Sequence, residues 1–310
     1  MAPRVSVLVP VYNAAATVAA ALDSILGQSF TDFEIVAVDD GSNDDSLSML
    51  ERYQPRITVL SQQNRGPSAA RNLGERNSSG EYLAFLDADD LWRPEFLART
   101  VAMLDSHPEC VLVYTDLELA DSTGAAMGAR LIGKRGVPTV RDMLERLWPI
   151  LPSSVVMRRG AFERAGGFPE ELTSFEDVYF WLLAREQGDF GYIEEPLTMW
   201  RFAHYPAALK PAGGQEAAGR IFDQMLQRRY GVRGLGHVAA RERAPRSILG
   251  YIGLHAIVRG DRRAARRAFA AALRTDPWRL RNYLRYARTF MPDGLARALS
   301  GTGAGKSGPR

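Results

Sequence analysis

Short β-type runs alternate with segments of helical spacing through the first 90 residues, and this alternation limits what the chain can fold into. The runs are short, mostly apolar and largely β-branched; they span residues 5–9, 33–38, 57–60 and 82–86. Apolar residues recur at helical spacing in the intervening segments, residues 14–26, 46–53 and 68–76. A β-α-β-α-β-α-β order predicts a parallel sheet covered by helices.

Polar side chains follow three of these predicted strands. Pro10 and Tyr12 follow the first, Asp39 and Asp40 the second, and an acidic cluster begins at Asp87 after the fourth. Ligands of open parallel sheets bind beyond the carboxyl ends of the strands. We therefore expect the three groups to meet in one crevice.

The acidic cluster holds Asp87, Asp89 and Asp90 within four residues. Like charges this close repel one another and raise each other's pKa, unless a cation shares them. An all-oxygen ligand set suits Mg²⁺ or Mn²⁺, and Mg²⁺ leaves coordination positions to water and substrate phosphates. In the alternative interpretation, Asp89 or Asp90 only caps a helix that starts near Pro94. The expected convergence of three strand ends favours a metal–diphosphate site.

Two common nucleotide-binding signatures are missing from the sequence. No Gly-x-Gly-x-x-Gly follows the first strand, which argues against a dinucleotide oxidoreductase. A phosphate-binding loop ending in Gly-Lys-Ser or Gly-Lys-Thr is also missing. Metal and basic side chains must then neutralise most of a diphosphate's charge.

Charge divides the chain into an acidic body and a basic end. Residues 1–210 hold 19 basic and 30 acidic side chains, whereas residues 211–310 hold 20 and 6. We predict three parts: a catalytic domain at 1–210, a basic α-helical region at 211–300 and a disordered tail at 301–310. The basic helices suit either a cap docked on the catalytic domain, with solvated arginines, or a surface for anionic lipid headgroups. With no base-reading module, we expect no nucleic-acid partner.

The location of the protein can be inferred only in outline. No apolar run approaches the roughly 20 residues of a membrane span. The apolar N-terminal run is interrupted at Pro10, Tyr12 and Asn13 and fits a strand better than a signal peptide. The single Cys110 rules out an intramolecular disulfide. We expect a cytoplasmic protein, peripheral on the inner face of the membrane.

Four motifs in order resemble the family 2 glycosyltransferases. They are the runs at residues 5–13 and 37–42, the acidic cluster at 87–90 and Phe-Glu-Asp at 175–177. The resemblance covers roughly residues 4–205. It implies the GT-A fold: a Rossmann-like mixed α/β sheet with helices on both faces, here followed by the C-terminal helical extension. It also implies a nucleotide-sugar donor and inversion at the anomeric carbon.

The resemblance assigns the nucleotide side of the crevice. Pro10 and Tyr12 would border the base, with Tyr12 stacked on it. Asp40 would accept a hydrogen bond from the base imide, which favours UDP or dTDP. Arg71 would lie near the nucleotide. Simpler alternatives are a core tyrosine at Tyr12, a turn closed by Gly41 at Asp40 and a solvated helix face at Arg71.

The same resemblance assigns the acidic cluster. Asp87 would reach the ribose and the metal, and Asp89 would bind the metal, with Asp90 sharing it. Mn²⁺ or Mg²⁺ would be the cofactor. Which carboxylate bonds directly to the ion stays open at this point.

The resemblance assigns the reaction itself to residues later in the chain. Asp177 matches the family's general base, which takes the proton of the acceptor hydroxyl; a helix N-terminal carboxylate favoured by the macrodipole is the alternative. Arg201 would bind phosphate oxygens bidentately, and His204 would bind metal or phosphate. Ser153 and Ser154 are expected to face the acceptor.

The resulting hypothesis is a metal-dependent, inverting glycosyltransferase of the hexosyltransferase type. It would transfer a sugar from a UDP- or dTDP-sugar to a hydroxyl of a glycan, glycolipid or glycoprotein, with a glycan or lipid-linked acceptor as partner. Two alternatives remain. A sugar nucleotidyltransferase would need a glycine-rich basic loop after the first strand, and a silent nucleotide-sugar-binding protein would have lost Asp177 or the Asp87–Asp89 pair.

Overall fold

A computed structural model describes residues 2–121, 123–130, 136–145, 150–201, 213–232 and 262–275. By its internal contacts the chain divides into two compact units, Met1–Ala239 and Ala240–Arg310. Among the described helices, none is both long and apolar enough to cross a membrane. His204 and the predicted disordered tail lie outside the described residues. The first unit contains the sheet.

Four parallel strands form one half of that sheet, in the spatial order β3-β2-β1-β4. Their bounds are β1 Val5–Val11, β2 Phe33–Asp39, β3 Thr58–Ser61 and β4 Tyr82–Phe85. Within this half, Val7 of β1 pairs with Ile35 on one side and Ala84 on the other. Three helices connect these strands: α1 Val18–Leu26, α2 Ser46–Glu51 and α3 Pro67–Arg76. The alternating order predicted for residues 5–86 is confirmed.

The other half of the sheet is mixed. It contains β5 Leu91–Trp92, β6 Cys110–Ala120, β7 Ala126–Arg130, β8 Val155–Arg158 and β9 Asp189–Arg201. The sheet continues from β4 in the order β8-β6-β9-β5, and β7 pairs with β6. Strand β8 is antiparallel to both β4 and β6, whereas β9 is parallel to β6. The predicted mixed α/β fold is confirmed.

Helices cover both faces because the buried strands are apolar on both sides. On one face, alternate β1 residues from Val5 to Val11 pack with α1, α2 and a further helix, α4 Phe96–Ser106. On the other face, Gly74 of α3 lies so close to Leu8 that an added Cβ would come within 3.3 Å of its side chain. Helix α3 can approach β1 this closely because Gly74 has no side chain.

Some elements of this half have little signal in the sequence. Strand β6 runs to Ala120 and forms a hairpin with β7. A 3₁₀ turn, Pro152–Ser154, comes directly before β8. The glycine and alanine content of β7 does not predict a strand, because pairing with β6 stabilises β7 more than its own sequence does.

Four more helices complete the part of unit 1 that the structure describes. They are α5 Val140–Glu145, α6 Arg159–Ala165, α7 Glu176–Arg185 and α8 Gly213–Tyr230. Helix α8 falls after residue 210, where the sequence suggested a domain boundary, but it belongs to the first compact unit. The predicted boundary at 210 stays a prediction.

In the second unit, the structure describes one helix, α9 Arg262–Thr275. Ala265 and Phe269 are buried, whereas Arg263, Arg266 and Arg267 are exposed. This helix is therefore amphipathic, with a basic exposed side.

Candidate active site

A cavity of about 540 Å³ opens at the carboxyl ends of β1, β2 and β4. Six of the residues singled out from the sequence line it: Pro10, Tyr12, Asp40, Arg71, Asp87 and Asp89. The three groups that follow separate strands therefore do converge, because parallel strands end at one edge of the sheet. Their roles toward a nucleotide or a metal stay predictions.

The first wall of the cavity is the turn that follows β1. Tyr12 is 49% exposed, which excludes the core-tyrosine alternative and leaves its ring available for stacking. Asn13 has a φ of 50° and its Oδ1 accepts a hydrogen bond of 2.8 Å from the Asn43 N–H. Asparagine tolerates this left-handed conformation better than most residues. The turn is thereby fixed to the loop after β2.

Asp40 fixes a second loop of the cavity wall. Its Oδ1 accepts hydrogen bonds from Gln62 Nε2 at 2.7 Å and the Arg65 N–H at 2.9 Å. Its Oδ2 accepts one from the Gly66 N–H at 2.8 Å. Asp40 is only 3% exposed. Asp40 therefore organises the loop of residues 62–66, a structural role different from the Gly41 turn considered as the alternative.

Arg71 and Asp87 form a partly buried ion pair between α3 and the end of β4. Arg71 Nη2 donates to Asp87 Oδ1 at 2.5 Å, and Arg71 is 3% exposed. Its Nε and Nη1 are buried without a hydrogen-bond partner. Burial alone lowers the pKa of Arg71, but the charges of Asp87, Glu176 and Asp177 outweigh it and raise that pKa. The solvated-face alternative for Arg71 is wrong.

The other two carboxylates of the cluster differ sharply in their surroundings. Asp89 is partly exposed and lines the cavity, whereas Asp90 is 2% exposed. Ser153 Oγ donates to Asp90 Oδ2 at 2.5 Å, and the Arg201 N–H donates to its Oδ1 at 3.0 Å. Burial raises the pKa of Asp90 well above its usual value, and the charges of Asp89 and Asp87 raise it further.

Asp90 therefore holds neighbouring segments together in this structure. It joins the end of β9 to the 3₁₀ turn before β8 through Arg201 and Ser153. Among the described residues, the cavity lining includes neither Asp90 nor Asp177 nor Arg201. A metal-ligating role for Asp90 stays a prediction that its hydrogen bonds do not favour.

The start of α7 brings a new carboxylate into the cavity. Glu176 lines it, and Asp177 lies next in the chain and is also partly exposed. Asp177 Oδ1 accepts a hydrogen bond of 2.8 Å from the Val178 N–H. Phe175 precedes them with a φ of 67°, a left-handed conformation that costs a bulky residue roughly 1–2 kcal/mol.

A hydrogen-bonded loop before α7 is joined to α3, the helix that carries Arg71. Asn72 of α3 donates through Nδ2 to the Phe168 carbonyl at 2.8 Å and accepts through Oδ1 from the Phe168 N–H at 2.9 Å. Gly167 has a φ of 75°, and an added Cβ would lie 2.9 Å from Asn72 Oδ1. Only glycine fits this contact without displacement.

Several predicted contacts of the acceptor side are not seen. Ser153 and Ser154 are fully buried, so the expectation that they face an acceptor is wrong in this structure. Arg201 is 4% exposed with its Nε unpartnered, and its Nη2 lies near Gly124 in the β6–β7 turn. The proposed contact of Arg201 with phosphate stays untested. His204 lies outside the described residues.

Sequence reasoning missed three contributors to the site. Glu176 was named only as part of the Phe-Glu-Asp motif and was given no role, and Asn13 and Asn64, which also line the cavity, were given none either. The one signal for Glu176 was its place beside Asp177 in that motif. Only the structure shows that it lines the same cavity as Arg71, whose pKa its charge raises.

Comparison with known proteins identifies the family and the fold. The model of the glycosyl transferase family 2 matches residues 6–163. An uncharacterized glycosyltransferase of Rickettsia felis is 30% identical over 202 residues, which take in 64% of this chain. The match spans only 33% of the length of that relative.

Two solved structures share the fold. One is residues 1–349 of TarS, the poly(ribitol-phosphate) beta-N-acetylglucosaminyltransferase of Staphylococcus aureus, in complex with UDP-GlcNAc. Its TM-score to this chain is 0.57 at 19% sequence identity, and the match covers 95% of this chain and 92% of that chain. The other is a mannosyltransferase of Pyrobaculum calidifontis in complex with GDP-Man and Mn²⁺. Its TM-score is 0.55 at 20% sequence identity, and the match covers 96% of this chain and 87% of that chain. At this identity the likeness shows the GT-A fold alone. The family match covers half of the chain, and this protein belongs to glycosyl transferase family 2.

Proposed function

We propose that the protein transfers a sugar from a UDP- or dTDP-sugar to a hydroxyl of a glycan, glycolipid or glycoprotein, with inversion and with a divalent metal ion. One observation carries this proposal. A single cavity collects an exposed aromatic ring, a buried arginine with unpartnered N–H groups and four carboxylates: Tyr12, Arg71, Asp40, Asp87, Asp89 and Glu176. Base stacking, diphosphate binding and metal binding need these groups in one place.

The nucleotide base would lie between Tyr12 and Asp40. The Tyr12 ring is half exposed and can stack on a base. A carboxylate offers about four lone-pair positions, and Asp40 uses three of them within the protein. The fourth can accept the imide N–H of uracil or thymine. The fold neighbours were solved with UDP-GlcNAc and with GDP-Man, so the choice of base needs a direct test.

Asp87 and Asp89 are the residues that would hold the metal. Both line the cavity, Asp89 is partly exposed, and Arg71 engages one oxygen of Asp87. No group of three or more ligating side chains occurs among the described residues. A pair of carboxylates nonetheless fits Mg²⁺ or Mn²⁺ shared with a diphosphate and water. When bound, such an ion would neutralise charge on the leaving diphosphate.

Arg71 and Asp177 would act on either side of the reacting carbon. The unpartnered Nε and Nη1 of Arg71 can donate to the diphosphate or the ribose. Asp177 would accept the proton of the acceptor hydroxyl as its oxygen attacks. The influence of Asp177 on the Arg71 pKa indicates that the two groups lie within electrostatic reach.

A thermal-shift panel tests the donor. UDP-, dTDP- and GDP-sugars are compared with and without Mn²⁺, using wild type and Tyr12→Ala. We expect metal-dependent stabilisation by a uridine or thymidine nucleotide, reduced in Tyr12→Ala because the stacking partner is lost. Stabilisation by GDP-sugars alone would overturn the donor assignment.

A turnover assay separates an enzyme from a silent binding protein. We expect Asp177→Asn to bind donor as wild type does but to release almost no nucleoside diphosphate, because it lacks the general base. Wild-type turnover by this variant would remove Asp177 from the mechanism. Conversion of the nucleotide sugar and labelled pyrophosphate into labelled nucleoside triphosphate and sugar 1-phosphate would instead indicate a nucleotidyltransferase.

We also propose that the protein is cytoplasmic and that α9 contacts an anionic membrane surface, where a lipid-linked acceptor would be found. The exposed Arg263, Arg266 and Arg267 lie on one side of a helix whose Ala265 and Phe269 are buried. Basic residues near an anionic bilayer each contribute about 1 kcal/mol. Sedimentation with vesicles containing anionic lipid should show binding that falls with salt and with replacement of the three arginines by glutamine. No binding at low salt would refute the contact.

A further inference from the structure

The residue that precedes the two carboxylates of α7 has an unfavourable backbone conformation. Phe175 has a φ of 67° and ψ of 12°, and no side-chain hydrogen bond caps the helix there. A residue before a helix usually has an extended backbone, and bulky residues avoid the left-handed region. Such conformations persist only where the surrounding structure holds them. Some other part of the fold must therefore hold Phe175.

One contact with the Phe175 side chain comes from α8. The ring of Phe222 lies 5.6 Å from the ring of Phe175, centroid to centroid, and 6.3 Å from that of Tyr179. Phe222 is 1% exposed and Phe175 is 4% exposed. The three rings thus form a buried cluster around the first turn of α7. Helix α8 lies beyond residues 6–163, the part matched by the family model.

A second contact anchors α8 at the other end of α7. Arg229 donates to both carboxylate oxygens of Glu186, from Nε to Oε1 at 3.1 Å and from Nη2 to Oε2. The Tyr230 hydroxyl donates to Oε1 at 2.6 Å. Glu186 is the C-cap residue that directly follows α7. Contacts at both ends mean that α8 runs along α7 in the same direction.

We propose that Phe222 is a positioning residue for the active site. Its ring keeps Phe175 in the left-handed conformation, and that conformation sets the direction in which Glu176 and Asp177 leave the backbone. This proposal rests on the proposed function, because it assigns Phe222 a part in the chemistry at that cavity. Phe222 touches no substrate and acts through Phe175.

Simple packing of α8 predicts a different outcome from positioning. If Phe222 only contributed buried area, its loss would lower stability and leave the turnover of folded enzyme unchanged. Under positioning, the carboxylates shift and turnover falls even well below the melting temperature. Small displacements of catalytic groups have large effects on rate.

The experiment compares Phe222→Ala, Phe222→Leu and Leu226→Ala in the full-length chain. Leu226 is fully buried one helical turn further along α8, so its truncation is the matched control for lost packing. UDP affinity is measured by calorimetry with Mn²⁺, and UDP release from UDP-GlcNAc, or from the donor selected by the thermal-shift panel, gives kcat and KM.

We expect Phe222→Ala to lower kcat by about 10- to 100-fold, a larger factor than the accompanying change in UDP affinity. Phe222→Leu should recover most of the rate, because the aliphatic side chain still fills the space beside Phe175. Leu226→Ala should lose stability without losing kcat. Wild-type kcat in Phe222→Ala, or an equal loss in Leu226→Ala, would overturn the proposal.

Hydrogen exchange keeps this test separate from that of the proposed function. Absence of turnover in the wild type with every donor would contradict the proposed function and say nothing of Phe222. In that case the amides of residues 175–180 give the answer. Phe222→Ala should exchange much faster there than Leu226→Ala, and equal exchange in the two variants would overturn the positioning role.

Discussion

Replacing Asp40 by asparagine should destabilise the catalytic unit by an amount that can be worked out from its hydrogen bonds. An asparagine that turns its carbonyl oxygen toward Gln62 and Arg65 can still accept two of the three hydrogen bonds. Its NH₂ group then faces the Gly66 N–H, a donor facing a donor. One hydrogen bond to a charged group is lost, worth about 1.5–3 kcal/mol.

This loss converts into a measurable melting temperature. For a unit of this size, 1 kcal/mol shifts Tm by about 2–4 °C, so Asp40→Asn should melt roughly 3–12 °C below wild type. Differential scanning fluorimetry without ligand measures the shift. The control is Asp45→Asn, because Asp45 is exposed and makes no side-chain cap for α2. Surface changes of this kind stay within about 0.5 kcal/mol.

The result that would refute this reasoning is specific. If Asp40→Asn melts with the control, Asp40 does not hold loop 62–66, and its buried carboxylate has another reason to be there. If the melting temperatures of both variants fall by the same amount, the loss comes from the change in net charge rather than from the hydrogen bonds of Asp40.

Three further predictions follow from the same structure. Gly167→Ala should lower the free energy of unfolding by about 1–2 kcal/mol, because alanine disfavours the left-handed backbone conformation of this position. Urea unfolding should show a lower midpoint with an unchanged m-value, and an unchanged midpoint would contradict the prediction. Ser153→Ala should cost about 1–3 kcal/mol in a thermal melt, since it removes a donor from the buried Asp90, whereas a melt like wild type would mean that Asp90 needs no such donor. The Arg229 guanidinium lowers the pKa of Glu186, so their pairing stabilises the fold above the ordinary glutamate pKa of 4.5 and is lost as the pH falls through the lower folded value. The Tm gap between wild type and Glu186→Gln should therefore be widest near neutral pH and close in acid; a constant gap would exclude this linkage.

The parallel half of the fold could be read from sequence because local pattern and burial agree there. Strands buried on both faces are apolar throughout, and apolar residues recur about every 3.6 residues in the helices between them. The hairpin of β6 and β7 could not be read in this way. Its second strand carries glycine and alanine, and it is a strand because β6 offers it hydrogen bonds.

The candidate site was likewise predicted only in part from the sequence. The chain itself placed Tyr12, Asp40 and Asp87 at strand ends, and parallel strands bring such ends together without further information. Arg71 was also found, but only the structure shows that it is buried and paired with Asp87. A helical arginine looks the same in sequence whether it faces water or a carboxylate.

What the sequence determined by itself is the order of the parallel elements and the chemistry at their ends, because both depend on residues close together in the chain. Only the tertiary structure decided which carboxylates face the cavity. Asp89 and Asp90 are neighbours in sequence, yet one lines the cavity and the other is buried against Ser153. Likewise Glu176 reaches the cavity through a backbone turn that rests on Phe222, 46 residues away. Long-range packing sets these orientations, and no local pattern encodes them.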